Sequence, residues 1–284
     1  MKKKILVLGA TGLLGTSIEK KFKNDKGFSF IGCSHKDIDI TNQKQLEKLL
    51  TRKKPHYVIN TVALIGINFC ESNPKKTMNV NAHSVFNLAK ICKKNNIILV
   101  QISTHAVFDG KNRKPYHEKD TPNPLNIYAY SKLVSEYFVK QNLDKYFILR
   151  MPTMYGPRRN KSLGFVDKMI SNMKQGKSLK VASDRMDSPT YAVNVANKIK
   201  SIIKSKNYGT YHISDKGMIS YYEFIHEIAK GIKFKGKLTK AKDSDFISAA
   251  PNPLRVAMKS KKGGTGIFWK KAISKYIEDE NIKC

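Results

Sequence analysis

The sequence predicts an α/β fold, a doubly wound parallel sheet followed by a smaller C-terminal lobe, on three observations. Residues 4–9, Lys-Ile-Leu-Val-Leu-Gly, are almost wholly apolar, as a parallel strand buried on both faces must be. A glycine-rich turn, Gly9-Ala10-Thr11-Gly12-Leu13-Leu14-Gly15, follows at once and opens a stretch of helical apolar spacing. Strand-like and helix-like segments then alternate with short links to residue 151, the pattern of right-handed βαβ units.

The elements follow in order. Residues 13–23 form a helix with Leu13, Leu14, Ile18 and Phe22 on one side. A second strand, 28–33, comes after the Gly27 turn, and Thr41 is placed to cap a helix over 42–53. Residues 57–61 read as a third strand, 74–95 as a helix and 97–102 as a fourth strand. After a loop over 109–126 rich in Pro, Asn and Lys come a helix at 127–141 and a strand at 146–151. Helical stretches near 163–175, 191–204 and 220–230 belong to a less regular second half. The division expected is therefore a Rossmann-type domain over 1–155 and a mainly substrate-binding lobe over 156–284, with some segments returning to the sheet.

Composition narrows the function. The formal net charge is +31, from 53 Lys and Arg against 22 Asp and Glu. Only seven of those cations are arginines, and no basic run alternates with aromatics, so the charge reads as solvated lysine faces without a nucleic-acid partner. No apolar run reaches the length that spans a bilayer, and Met1-Lys2-Lys3-Lys4 leads straight into the first strand. A cytoplasmic protein with no membrane partner is expected. Cys33, Cys70, Cys92 and Cys284 lack any paired short spacing, which predicts reduced thiols and no metal site.

Three places carry chemistry. The turn Gly9, Thr11, Gly12, Leu13, Leu14, Gly15 sits between strand and helix, where glycines admit a close backbone approach and a helix N-terminus offers N–H groups to a pyrophosphate. At the end of the second strand stand Ser34, His35 and Lys36, without the carboxylate that would accept from an NAD ribose. Those residues suit the 2′-phosphate of NADP, with NAD left open, and Asp39 and Ile40 would border the adenine. Tyr128 and Lys132 lie four residues apart on one helix face, so a phenol and an ammonium share a pocket and the cation favours proton exchange by the phenol. Tyr130, two residues from Lys132, faces elsewhere. The segment Gln101-Ile102-Ser103-Thr104 lies at the end of a sheet strand, where the Thr104 hydroxyl can reach a reacting carbonyl oxygen.

Together these features resemble the extended short-chain dehydrogenase/reductase family, and more narrowly its dTDP-4-dehydrorhamnose reductase branch, across roughly residues 3–195. The resemblance rests on the glycine turn, the Tyr128/Lys132 pair, the segment from Ser103 to Gly110, Pro115-Tyr116-His-Glu118, Pro124-Leu125-Asn126-Ile-Tyr128, Leu149-Arg150-Met-Pro-Thr-Met-Tyr155-Gly156 and Ser188-Pro189-Thr190-Tyr191-Ala192.

The resemblance implies a catalytic set of Thr104, Tyr128 and Lys132, with Lys132 also holding the nicotinamide ribose. Ala63 and Asn81 would line the cofactor path, and Pro152 would begin the loop beside the nicotinamide. It also implies NADPH-dependent reduction of a 4-keto-6-deoxy sugar nucleotide in deoxysugar and surface-polysaccharide biosynthesis. Dimers are common among such relatives, so a homodimer fits the resemblance. Where related 4,6-dehydratases carry an Asp-Glu pair, this chain has His105 and Ala106, which points to simple reduction. The chain departs from the branch at Leu64, Ile65 and the loop 151–154, positions expected to face the sugar. Arg185, Lys161 and Arg255 are the cations expected near the substrate diphosphate. The Arg-x-Pro-x-x-Tyr-Gly form is also similar to the non-catalytic regulatory subunit of methionine adenosyltransferase, so a cofactor-binding subunit is the alternative.

Overall fold

In the computed structural model, which describes residues 1–159 and 163–283, the opening apolar run forms β1 (Lys3–Leu8). Ile5, Leu6, Val7 and Leu8 are fully buried because helices cover both faces of the sheet. β1 pairs in parallel with β2 (Phe28–Cys33) on one side and β3 (Tyr57–Asn60) on the other. Beyond β3 come β4 (Ile98–Thr104), β5 (Tyr146–Met151) and the edge strand Gly209–His212, all parallel.

One face is packed by α1 (Leu13–Phe22) and the helix Ala192–Ser205, whose Leu14, Ile18, Phe22, Val195 and Ile199 meet β1 and β5. The opposite face is packed by α2 (Gln43–Lys53), with Leu46 and Leu50, and by a longer helical region. That region contains α3 (Ile67–Ser72), α4 (Pro74–Met78), a π turn at Asn79–His83 and α5 (Ser84–Lys94). α6 (Ile127–Asn142) completes the layer. Chain direction out of β1 reverses between β2 and β3, so a crevice opens at the carboxyl ends of these strands.

Several local expectations change. α2 is capped by Asn42, which accepts from the Gln45 amide at 3.1 Å, whereas the Thr41 hydroxyl donates to Asp39 at 2.7 Å. The helix expected over 74–95 is interrupted by the π turn, a distortion that often serves a site. β4 runs on to Thr104, two residues beyond its expected end.

The second half builds its own apolar cluster around Tyr155, Tyr191, Phe224 and Trp269. Helices Phe165–Lys174, Tyr221–Gly231 and Trp269–Asp279 enclose it, and Leu179–Ala182 pairs in parallel with Leu238–Ala241. The last helix is absent from the sequence expectations, although Trp269, Ala272, Ile273 and Tyr276 recur at helical spacing. Between these segments the chain returns to the sheet through Ala192–His212, contributing one helix and the edge strand. Among the described residues no helix is long and apolar enough to cross a membrane. Cys33, Cys70 and Cys92 are buried free thiols, and Cys284 lies outside the described residues.

Candidate active site

A cleft of about 1390 Å³ runs along the carboxyl edge of the sheet, and the glycine turn forms one end of it. The Gly9 and Ala10 N–H groups both donate to the Cys33 carbonyl, at 2.9 and 3.0 Å, which ties the turn to the end of β2. Gly9 has φ +81°, and a Cβ there would stand 2.6 Å from the Thr61 hydroxyl. At Gly15 a Cβ would fall 2.3 Å from the Gly9 carbonyl oxygen, so only glycine lets α1 start this close to the turn. No side chain caps α1 at Gly12. Gly9, Thr11, Gly12, Leu13 and Leu14 border the cleft, giving an anion the first-turn N–H groups and the positive end of the helix. Gly15 lies behind this lining as a packing residue.

At the end of β2, Ser34 and His35 border the cleft, as do Asp39 and Ile40. Lys36 does not: its N–H folds back onto the Ser34 hydroxyl at 3.2 Å, and the residue borders an adjoining depression with Gln45 and Arg52. The turn is also more acidic than expected from Ser34-His35-Lys36. The Asp37 carboxylate accepts from both the N–H and the hydroxyl of Ser34, each at 2.7 Å, and those bonds hold its carboxyl below the usual range. The Thr41 hydroxyl and N–H do the same for Asp39.

Tyr128 and Thr104 meet at the cleft floor. β4 delivers Thr104 at its last residue, and the start of α6 is pinned by two side chains. Asn126 accepts from the Ala129 N–H at 3.0 Å, and Glu71 accepts from the Ile127 N–H at 2.7 Å. So placed, the Tyr128 phenol lines the cleft beside the Thr104 hydroxyl, which itself accepts from the Ala106 N–H at 3.1 Å. Burial pushes the phenol pKa up against a smaller downward pull from the Thr104 hydroxyl, so it is protonated at neutral pH and can act as a donor. Tyr130 is exposed on another side of the helix.

Lys132 lies one turn further along α6, buried behind the cleft lining, with its pKa brought down to about 8 by burial while the Glu136 carboxylate pulls the other way. Glu136 itself is fully buried; it accepts from the Ser103 hydroxyl at 2.6 Å and from Arg150 at 2.9 and 2.7 Å.

Ala63 borders the cleft, whereas Asn81 supports it from behind. From the π turn, Asn81 Oδ1 accepts from the Leu64 N–H at 2.8 Å, and its Nδ2 donates to the Leu64 carbonyl at 2.9 Å and to the Ser131 hydroxyl at 3.0 Å. The loop after β3 is thereby fastened to α6.

The cleft is also lined by Ile65, Phe69, Pro152, Thr153, Met154, Lys180, Arg185 and Tyr221. Of the expected sugar-facing positions, Ile65 and Met154 border it, but Leu64 and the core residue Met151 do not. Arg185 does border it, lying 4.7 Å over the Tyr221 ring with Nη1 3.5 Å from Asp243. Arg255 is exposed and pairs through its backbone with Met186, outside the cleft lining, because the chain enters a bridge there. Lys161 lies outside the described residues. Thr153 belongs to the expected 151–154 loop, but Lys180 and Tyr221 are absent from the sequence expectations; only the Ser220/Glu223 capping box beside Tyr221 had a legible signal.

The model of the RmlD substrate-binding domain family matches residues 2–281. The chain belongs to that family. Among solved structures, a dTDP-4-dehydrorhamnose reductase from Clostridium acetobutylicum superposes with a TM-score of 0.92 at 34% identity, over 98% of this chain and 99% of that one. The Bacillus anthracis dTDP-4-dehydrorhamnose reductase, determined in complex with NADP, gives a TM-score of 0.93 at 29% identity over 98% and 100%. The spore coat polysaccharide biosynthesis protein SpsK of Bacillus subtilis is 26% identical over 99% of both chains. Methionine adenosyltransferase 2 subunit beta of Danio rerio is 29% identical over 80% of this chain and 73% of its own length.

Proposed function

We propose that this RmlD-family chain reduces the 4-keto group of a 4-keto-6-deoxy sugar nucleotide, with NADPH as reductant, in the cytoplasmic assembly of a deoxysugar for a polysaccharide. The observation that carries the proposal is that Thr104 and Tyr128 line the same cleft as an uncapped glycine turn. That turn fits a dinucleotide: Gly9 and Gly15 sit where any Cβ would collide, and the first-turn N–H groups face the cleft.

NADPH, when bound, supplies the hydride. The protein supplies the rest. Tyr128, a neutral phenol in its buried setting, donates its proton to the carbonyl oxygen as negative charge develops there. Thr104 orients that oxygen by a second hydrogen bond. Lys132, held close behind by α6, stabilises the phenolate left after proton transfer, and the Glu136 carboxylate favours its charged form. Arg185 and Lys180 on the far wall are the cations placed to meet the substrate diphosphate. Ala106 cannot act as an acid or base, and His105 is engaged with the Met151 carbonyl, which supports reduction without loss of water.

The test is incubation of the purified chain with NADPH and dTDP-4-dehydrorhamnose, following loss of reduced-nicotinamide absorbance and identifying the product by NMR. Hydride transfer to the sugar is expected. Tight NADPH binding without turnover of any keto-sugar nucleotide would overturn the proposal and favour a cofactor-binding subunit.

A further inference from the structure

We infer that His105 and Asp187 together clamp the peptide on both sides of Pro152, making His105 a positioning residue for the nicotinamide side of the cleft; the link to turnover rests on the function proposed above. Proline has no backbone N–H, so Pro152 has no donor with which to anchor itself. Its place in the cleft wall depends on the carbonyl before it and the amide after it, and side chains hold both.

His105 Nδ1 lies 3.1 Å from the Met151 carbonyl oxygen. A carbonyl only accepts, so Nδ1 carries the proton of that bond. On the other flank, Asp187 Oδ2 accepts from the Thr153 N–H at 3.2 Å, while its Oδ1 accepts from the Ser188 N–H at 2.7 Å. His105 Nε2 stands 3.9 Å from the same Asp187 Oδ2. The ring and the carboxylate are both buried, so the contacts from Met151 through His105 and Asp187 to Thr153 close a ring of protein around Pro152.

The clamp stands where the sheet gives out. The last rung between β4 and β5 pairs Thr104 with Met151, and His105 is the next residue. Its imidazole continues the connection that the backbone ladder ends. Thr153 has further anchors, its hydroxyl 2.7 Å from the Tyr221 hydroxyl and its carbonyl accepting from the Thr190 N–H at 2.9 Å. These steady Thr153, while His105 reaches the Met151 side. The same residue follows Thr104 directly, so one side chain couples the position of the proposed carbonyl-orienting hydroxyl to that of the proline wall.

The test uses the full chain and the variants His105→Ala and His105→Asn. Asparagine places an amide N–H close to where Nδ1 lies, keeping the bond to Met151 without the ring. Two readouts are taken: emission of the reduced nicotinamide ring on NADPH binding, with its Kd, and kcat and KM for dTDP-4-dehydrorhamnose. For His105→Ala the NADPH Kd is expected to stay within about threefold, because the phosphate turn is untouched, while ring immobilisation is lost and kcat falls about tenfold or more. His105→Asn is expected to recover most of both. If the alanine variant does not fold, His105→Leu fills the space without a donor and takes its place. Unchanged ring emission and kcat in the donor-less variant, or equal impairment in His105→Asn, would overturn the inference. A wild-type chain without turnover would overturn the proposed reaction, and the ring-emission comparison alone would then decide the clamp.

Discussion

The Glu136 carboxylate grips the Arg150 guanidinium through two hydrogen bonds of 2.9 and 2.7 Å, joining α6 to β5 inside the protein. Both groups are almost completely removed from solvent, and the Ser103 hydroxyl donates to the same carboxylate. One turn earlier on α6 stands Lys132, so a single buried anion serves a structural cation and the lysine of the proposed catalytic set.

Removing that anion is expected to be costly. In Glu136→Ala the Arg150 guanidinium is left buried without its carboxylate, which should lower unfolding free energy by about 3–5 kcal/mol. Urea denaturation of the variant against wild type measures this. A loss comparable to that of an exposed pair would show that the bond contributes little.

Lys132 has the opposite relation to stability. Its folded pKa of about 8 lies below the ordinary 10.5, so between those values the unfolded chain holds a proton that the folded chain has released. The cost of burying the ammonium is therefore full below about pH 8 and fades as pH rises toward 10.5. Lys132→Met is expected to unfold at higher urea than wild type at neutral pH, by on the order of 1–3 kcal/mol, with turnover lost. The gap should close as the pH approaches that of a free lysine. A gap that stays constant with pH would mean that the lysine is not desolvated.

Tyr128→Phe removes the proton donor while leaving the ring in place. Turnover is expected to fall by about 10²–10⁴-fold, with NADPH affinity nearly unchanged, since the substitution leaves the glycine turn intact. Steady-state kinetics together with a binding titration separate the two effects. Retained turnover would remove Tyr128 from the mechanism.

Gly15→Ala tests the cofactor end. The new methyl would stand 2.3 Å from the Gly9 oxygen and 2.7 Å from the Ala10 Cα, so the turn must shift and spoil the phosphate cradle. NADPH binding, followed by calorimetry, should weaken by about tenfold or more, corresponding to at least 1.4 kcal/mol. An unchanged Kd would place the phosphates elsewhere.

These tests divide along the line between what the chain shows locally and what folding brings together. The glycine turn was legible because its residues are contiguous and the strand before it and helix after it have simple apolar patterns. Tyr128 and Lys132 were legible because four residues make one helical turn. Lys36 borders an adjoining depression and not the cleft, because a charge's place in the chain does not fix the fold of its turn. Asn81 was legible as a position, but its work of fastening the Leu64 loop required a π turn that no apolar period announces.

The sequence by itself determined the doubly wound sheet, the turn that fits a pyrophosphate and the phenol and ammonium on one helix face, because all of these are encoded by spacings within a few residues. Only the tertiary structure decided that Thr104 meets Tyr128, that Arg185 lies over Tyr221 at the cleft wall, and that His105 and Asp187 flank Pro152. Those partners are separated by tens of residues. Their meeting depends on how strands, helices and lobe pack, and burial alone sets which hydrogen bonds and charges are left to face one another.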